Sequence, residues 1–173
     1  VHQDDSAIVR VNAGGGFSNA AFDAGAPVLA ERCRTTGIAA MVINDCTHFA
    51  ALWPEIETLT DMGLAAMAMC PSYASVAPSG GTDPLMGTNP FAFGWPRAEG
   101  NPYAFDFATS VAARGEIELH RRAGTPLPEG WAVAPDGAPT TDPEAALADH
   151  RADHIPVQLI ATWQSVMVPL SGH

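Results

Sequence analysis

The sequence contains no lysine, so its eight strongly basic residues are all arginines. Asp and Glu together number 19, and the formal net charge is −11. A surface this acidic repels nucleic acid and anionic membranes, and we expect neither as a partner. An anionic small molecule would therefore need local donors, for which arginine side chains, helix N-termini and main-chain N–H groups are the candidates.

Long apolar runs and cysteine motifs are also missing. No apolar run reaches about 18 residues, so a transmembrane helix is not expected. Cys33, Cys46 and Cys70 are widely spaced, which argues against a disulfide framework or a zinc site and favours buried thiols. The start, Val1 to Asp5, has neither an initiating methionine nor a signal peptide. We interpret the chain as cut or incomplete, and we expect a cytoplasmic protein.

The remaining pattern is that of an α/β domain, and 173 residues suffice for one hydrophobic core. Short apolar runs bounded by glycine and proline predict strands, and longer segments with helix stop signals predict helices. The predicted strands cover residues 8–11, 38–43, 64–70, 91–94 and 103–107. The predicted helices cover residues 19–36, 48–62, 110–123 and 143–149, the last capped by Asp142. Residues 71–84 and 126–143 are predicted loops.

The first residues imitate a dinucleotide-binding unit without its signature. A strand, the turn Gly14-Gly15-Gly16, a helix and a second strand are followed by Asp45. The turn lacks the G-x-G-x-x-G spacing that brings the backbone onto a pyrophosphate. We therefore interpret the glycines as an ordinary turn and predict a fold other than the Rossmann fold.

His48 is the first candidate for chemistry. It lies at a predicted strand-to-helix junction, where α/β proteins place ligands, and a histidine can exchange a proton near neutral pH. The alternative is that His48 caps the helix or fills the edge of a pocket.

Asp106 is the second candidate, because it follows an apolar strand and precedes Thr109-Ser110 at a predicted helix start. A carboxylate beside free N–H groups suits a ribose hydroxyl or an amide. Capping of a helix by Asp106 or Thr109 explains the pattern as well. Thr88 and Asn89, before Pro90, could bind a carboxylate or form an ordinary turn.

Two other chemistries receive little support. His150 and His154 are spaced to share one helix face, but no third ligand is placed by the sequence and Pro156 follows at once, so we predict no metal site. The serines, Ser72 among them, have no G-x-S-x-G context, which argues against a serine hydrolase.

Six blocks occur in one order between about Val9 and Leu147. They are Gly16-Phe17, His48-Phe49, Gly87-Thr88-Asn89-Pro90, Phe105-Asp106-Phe107-Ala108-Thr109-Ser110, Pro128-Glu129-Gly130-Trp131 and Pro139-Thr140-Thr141-Asp142-Pro143. Their order resembles the malate/L-lactate dehydrogenase family, nicotinamide-dependent oxidoreductases unrelated to Rossmann-type lactate dehydrogenases. The resemblance implies a non-Rossmann α/β fold and a homodimer. It makes residues 1–147 the central cofactor-binding domain and residues 148–173 a divergent tail.

Within that family, His48-Phe49-Ala50-Ala51-Leu52 is similar to the Δ1-piperideine-2-carboxylate/Δ1-pyrroline-2-carboxylate reductases. Malate and lactate enzymes tend to have His-Phe-Gly at this place. The reductases use NADPH to reduce a cyclic imino acid to L-pipecolate or L-proline. NADH is possible as well, because no lysine is present to meet a 2′-phosphate. Glu116 matches the relay acid of the subfamily, although an aspartate is expected there.

The resemblance also implies roles for individual residues. His48 and Glu116 would be catalytic, and Thr88 would hold the substrate carboxylate. The cofactor would contact His48, Phe49, Ala50, Ala51, Leu52, Ser72, Asp106, Phe107 and Ala108. The family's Ser-His…Arg group and its Gly-Gly-His-Lys-Gly segment are not found in this sequence. Two alternatives therefore stand: an NAD-dependent 2-hydroxy-acid dehydrogenase, and a nucleotide-binding fragment without turnover.

Overall fold

The computed structural model describes residues 1–2, 4–78 and 81–148, together with the backbone of residues 157–164. The strands are β1 (Ile8–Asn12), β2 (Ile38–Asn44), β3 (Leu64–Met69), β4 (Phe91–Trp95), β5 (Tyr103–Phe107), β6 (Ala132–Val133), β7 (Pro139–Thr140) and β8 (Val157–Gln164). The helices are α1 (Ser18–Thr36), α2 (Trp53–Asp61), α3 (Arg114–Ala123) and α4 (Pro143–Leu147). Two compact units result: a first unit of residues 1–71, 90–107 and β8, and a second of residues 72–89 and 108–148.

The first unit is built on a six-stranded mixed sheet with the order β1-β2-β8-β3-β4-β5. β1 and β2 are parallel, while β8 runs antiparallel to both β2 and β3. β2 and β3 therefore run in the same direction, and the carboxyl ends of β1, β2 and β3 meet at one edge of the sheet. The third strand in this order, β8, comes from the segment 148–173 that the sequence analysis set apart as a tail.

The core of the first unit lies between this sheet and the helices α1 and α2. β1 and β2 bury alternate residues, which is the pattern of strands with one face covered. The three cysteines are free and buried, as predicted. Burial raises the pKa of the Cys46 and Cys70 thiols, so both remain protonated and act as small apolar side chains.

The opposite face of the sheet carries a row of aromatic residues. They alternate along the β4–β5 hairpin and are paired across it in register: Phe91 with Phe107, Phe93 with Phe105, and Trp95 with Tyr103. The rings of neighbouring pairs contact one another, with centroids 5.6 Å apart for Phe105 and Phe107. Tyr103 is 60% exposed and Phe107 53% exposed, so this face presents a large apolar surface.

The predicted strands are confirmed, but two helices begin later than predicted. α2 starts at Trp53 rather than at residue 48, with Pro54 in its first turn, where the missing N–H costs nothing. α3 starts at Arg114 rather than at residue 110. The Thr109 main-chain N–H and hydroxyl instead donate to the carbonyl of Thr88, which keeps this segment out of the helix.

The second unit contains α3, α4 and the small β6–β7 hairpin, which lies inside the segment predicted as loop. Asp142 caps α4 as predicted, because its carboxylate accepts from the Glu144 N–H at 3.0 Å. On α3 the Glu118 carboxylate accepts from Arg121 at 2.6 Å and from Arg122 at 2.9 Å. None of the described helices combines the length and apolarity that a membrane span needs.

Replacing Gly94 in β4 should destabilise the first unit. A Cβ at Gly94 would lie 2.8 Å from Thr60 Cγ2 and closer still to Ile56 Cγ2, both on α2. We expect Gly94→Ala to cost about 1–3 kcal/mol in the free energy of unfolding, because the helix must move away from the sheet.

Urea denaturation measures this cost, and Gly115→Ala in α3 is the matched control. An added Cβ at Gly115 meets nothing within 4 Å, so alanine should stabilise the helix slightly. Equal stability of Gly94→Ala and the unchanged chain would contradict the close packing of α2 on β4.

The Glu118 ion pairs should make the stability of α3 depend on acid pH. Hydrogen bonds from Arg121 and Arg122 lower the pKa of Glu118 from 4.5 to about 2. The stabilisation is therefore complete above pH 4.5 and is lost as the pH falls towards about 2. Thermal unfolding across this interval should show a smaller loss of midpoint for Glu118→Gln than for the unchanged chain. Glu129→Gln, at an exposed position outside the recorded ion pairs, is the control.

Candidate functional site

The turn after β1 holds the segment that follows β2. Gly15 donates its main-chain N–H to the carbonyl of Asp45 at 2.8 Å, and Thr47 donates to the carbonyl of Gly16 at 3.0 Å. Further along both segments, Ser18 donates to the carbonyl of His48 at 2.9 Å. Because β1 and β2 are parallel neighbours, their ends lie side by side and these bonds can form.

The glycine turn is not a phosphate cradle. Each of its N–H groups donates within the protein: Gly14 to the Asn12 side chain at 2.6 Å, Gly15 to Asp45, and Gly16 to Ala13 at 3.0 Å. A phosphate-binding loop must leave such donors free. The geometry agrees with the interpretation of these glycines as a turn.

His48 is exposed and lies beside two aromatic rings. Its imidazole is perpendicular to the ring of Phe17, with 5.7 Å between ring centroids, and stacks beside Phe49 at 6.4 Å. In the part of the chain that the structure describes, no side-chain hydrogen bond engages the imidazole, which leaves both nitrogens available for proton exchange. His48 does not cap α2, which begins only at Trp53.

Three consecutive N–H groups after His48 are available to a ligand. Phe49 packs partly against the core, while Ala50 and Ala51 are exposed. Among the described residues, no group accepts a hydrogen bond from the main-chain N–H of Phe49, Ala50 or Ala51. Main-chain donors left without a protein partner at a strand edge are suited to oxygen atoms of a bound molecule.

Asp106 lies on β5 and reaches back to the end of this segment. Its Oδ2 accepts from the N–H of Leu52 at 2.7 Å and of Trp53 at 3.0 Å. Asp106 therefore caps a helix, but the helix is α2 rather than the one that follows it in sequence. The next residue, Phe107, lies on the aromatic face, where its ring is 5.8 Å from that of Phe91.

The second unit brings Ser72 and Thr88 together. Their hydroxyl oxygens are 2.9 Å apart, and Ser72 N–H donates to the Asn89 side chain at 3.1 Å. A Cβ at Gly87 would lie 2.5 Å from Ser72 Oγ and 2.6 Å from Asn89 Oδ1, so only glycine fits there. Gly87 and Thr88 therefore form one cluster with Ser72, which the sequence analysis considered separately.

Glu116 does not join that cluster. It is exposed in the first turn of α3, and none of the hydrogen bonds recorded for the described residues links it to Ser72 or Thr88. The sequence analysis overlooked Arg114 beside it, whose guanidinium carbon lies 5.7 Å from the centre of the Tyr73 ring. Basic side chains are scarce in this acidic chain, and that scarcity was the signal that could have identified Arg114.

Residues 1–2, 4–78 and 81–148 contain no group of three metal-ligating side chains. His150 and His154 lie outside the described residues.

Comparison with known proteins identifies the family of the chain. The malate/L-lactate dehydrogenase family model matches residues 1–173. A Δ1-pyrroline-2-carboxylate reductase of Agrobacterium fabrum is 72% identical over 170 residues, which is 98% of this chain and 45% of the relative. A Δ1-pyrroline-2-carboxylate/Δ1-piperideine-2-carboxylate reductase of Pseudomonas aeruginosa is 58% identical over 147 residues, 85% of this chain and 44% of the relative.

A solved structure gives the same result. The Δ1-piperideine-2-carboxylate reductase from Pseudomonas syringae pv. tomato superposes with a TM-score of 0.79 at 33% identity, over 95% of this chain and 62% of that one. The chain spans about half the length of the curated relatives it matches.

Proposed function

Because the chain belongs to the malate/L-lactate dehydrogenase family, we propose that it carries the cofactor-binding part of an NAD(P)H-dependent reductase of cyclic 2-imino acids. The substrates are Δ1-pyrroline-2-carboxylate and Δ1-piperideine-2-carboxylate, and the products are L-proline and L-pipecolate. The observation that carries the proposal is the 72% identity over 170 residues with the Agrobacterium fabrum reductase. The cofactor-binding domain of the proposal spans residues 1–147.

The donor set of the first unit fits a nicotinamide cofactor. Three available N–H groups at Phe49, Ala50 and Ala51 can donate to phosphate or carboxamide oxygens without any lysine. The residues proposed to hold the cofactor are His48, Phe49, Ala50, Ala51, Leu52, Ser72, Asp106, Phe107 and Ala108. When bound there, a reduced nicotinamide would supply the hydride that the carbon of the C=N bond accepts.

His48 and Glu116 are the proposed acid–base residues. Reduction of an imine requires a proton at the nitrogen. An exposed imidazole that makes no side-chain hydrogen bond to the described residues can hold or move that proton. The Glu116 carboxylate is exposed and can serve as the acid of a proton relay. The remaining groups of the relay are those that the family places outside the blocks matched here.

Thr88 is the proposed ligand of the substrate carboxylate. Its hydroxyl is oriented by the Ser72 hydroxyl at 2.9 Å, and its main chain is held by Thr109. An oriented hydroxyl can donate to a carboxylate oxygen, which is a strong hydrogen bond because the acceptor is charged.

The proposal includes NADPH as the preferred cofactor, a homodimer and a cytoplasmic location. The exposed aromatic face of the β4–β5 hairpin supports self-association, since an apolar surface of this kind is usually covered by a partner. Preference for NADPH follows the family resemblance described in the sequence analysis rather than any lysine of this chain.

The activity is tested by following oxidation of NADPH in the presence of Δ1-pyrroline-2-carboxylate. Two proteins are compared: the 173-residue chain and a fusion that adds the flanking segments of the Agrobacterium fabrum relative. Turnover by either supports imine reduction, and turnover by the fusion alone places the missing proton donor in the added segments. Reduction of pyruvate but not of the imine would establish the hydroxy-acid dehydrogenase instead, and no turnover by either would establish an inactive fragment.

Substitution of Thr88 separates substrate binding from catalysis. In the form that turns over, Thr88→Val should raise KM for the imino acid roughly tenfold or more, because a charge-assisted hydrogen bond is lost. Thr88→Ser keeps the hydroxyl and should stay close to the unchanged enzyme. A KM unaffected by valine would remove Thr88 from the substrate site.

A further inference from the structure

We infer that Asp106 is a positioning residue, whose carboxylate anchors the segment His48–Leu52 to the start of α2 and thereby orients the main-chain donors of the proposed cofactor site. The inference rests on the proposed function, because it concerns the segment assigned there to the cofactor. It adds a positioning role to a residue that the family resemblance places only among the cofactor contacts.

The start of α2 needs an acceptor that its own residues do not provide. The first N–H groups of a helix have no partner within the helix, and a capping side chain normally supplies one. Here the capping position is occupied by Leu52, whose side chain cannot accept a hydrogen bond. Asp106 supplies the acceptor from β5, with one oxygen taking both the Leu52 and the Trp53 N–H. A negative charge at this end of a helix is also favoured by the helix dipole.

The surroundings of Asp106 direct it towards the helix. Asp106 is paired across the hairpin with Ala92, which is fully buried on the sheet face that α2 covers. Its neighbours Phe105 and Phe107 point to the opposite, aromatic face. The half-buried carboxylate thus lies between the sheet and the first turn of α2, against the buried Leu52.

The same segment is held at its other end by the turn after β1. Ser18 donates to the His48 carbonyl at 2.9 Å, and Thr47 donates to Gly16 at 3.0 Å. Between the two anchors lie Phe49, Ala50 and Ala51 with their available N–H groups. Asp106 therefore sets the distance and direction of these donors relative to His48, and its loss should release one end of the segment only.

A direct ligand role makes a different prediction. An acid that binds the ribose 2′-hydroxyl favours NADH over NADPH, because a carboxylate repels the 2′-phosphate. Removing such an acid weakens NADH binding selectively. Removing an anchor weakens both cofactors by a similar factor, because the displaced donors serve the part that the two molecules share.

The test compares Asp106→Ala and Asp106→Asn with the unchanged 173-residue chain. Amide hydrogen exchange without cofactor and fluorescence titration with NADPH and NADH are measured on each protein. We expect Asp106→Ala to accelerate exchange at Leu52 and Trp53 roughly tenfold, as loss of a helix cap does, and to weaken both cofactors to a similar extent. Asp106→Asn keeps an oxygen that can accept both N–H groups, and its effects should be clearly smaller.

Asp142→Ala is the matched control, because it removes the cap of α4 in the second unit. It should accelerate exchange at Glu144 and leave both cofactor affinities unchanged. Unchanged exchange at Leu52 and Trp53 in Asp106→Ala, or a loss confined to NADH, would overturn the inference. If the unchanged chain binds neither cofactor, the proposed function fails, while the exchange data still decide whether Asp106 anchors the segment.

Discussion

The parallel pairing of β1 and β2 is the interaction on which the candidate site depends. It places the ends of both strands at one edge, so that the glycine turn can donate to Asp45 and receive the N–H of Thr47. Those bonds hold the backbone before His48, and the N–H groups of Gly14 and Gly16 are used within the turn itself, by Asn12 and Ala13. The ligand-accessible N–H groups are consequently found after β2, which separates this arrangement from a Rossmann phosphate loop.

Helix α2 depends on the sheet in a second way. A proline in its first turn favours a helix start at this place in the sequence. The capping position is a leucine, however, so the first N–H groups of the helix find no side-chain acceptor there. The carboxylate that completes it comes from β5, at the far end of the sheet order. The packing that makes this possible is close: Gly94 on β4 leaves no room for a Cβ against Ile56 and Thr60. The sheet, helix α2 and the segment His48–Leu52 therefore form one connected arrangement in the first unit.

Much of the fold could be predicted because its signals are local. Apolar runs bounded by glycine predicted the strands of the described sheet up to β5, and Asp142 predicted the cap of α4, since a cap lies beside the helix it serves. The starts of α2 and α3 were predicted too early, because Thr109 is held by Thr88, and residues 47–52 are held by Gly16, Ser18 and Asp106. These hydrogen bonds join residues that are distant in sequence, so the pattern of apolar residues along the chain does not predict them.

The sequence by itself determined the family, the α/β class, the buried free cysteines and the blocks that contain His48, Thr88 and Asp106. Residue type, spacing and order carry that information along the chain. Only the tertiary structure decided that β8 lies between β2 and β3, that Ser72 meets Thr88, and that Asp106 caps α2. Strand order and side-chain partners result from long-range packing, in which hydrogen bonds must be satisfied across the sheet rather than along the chain.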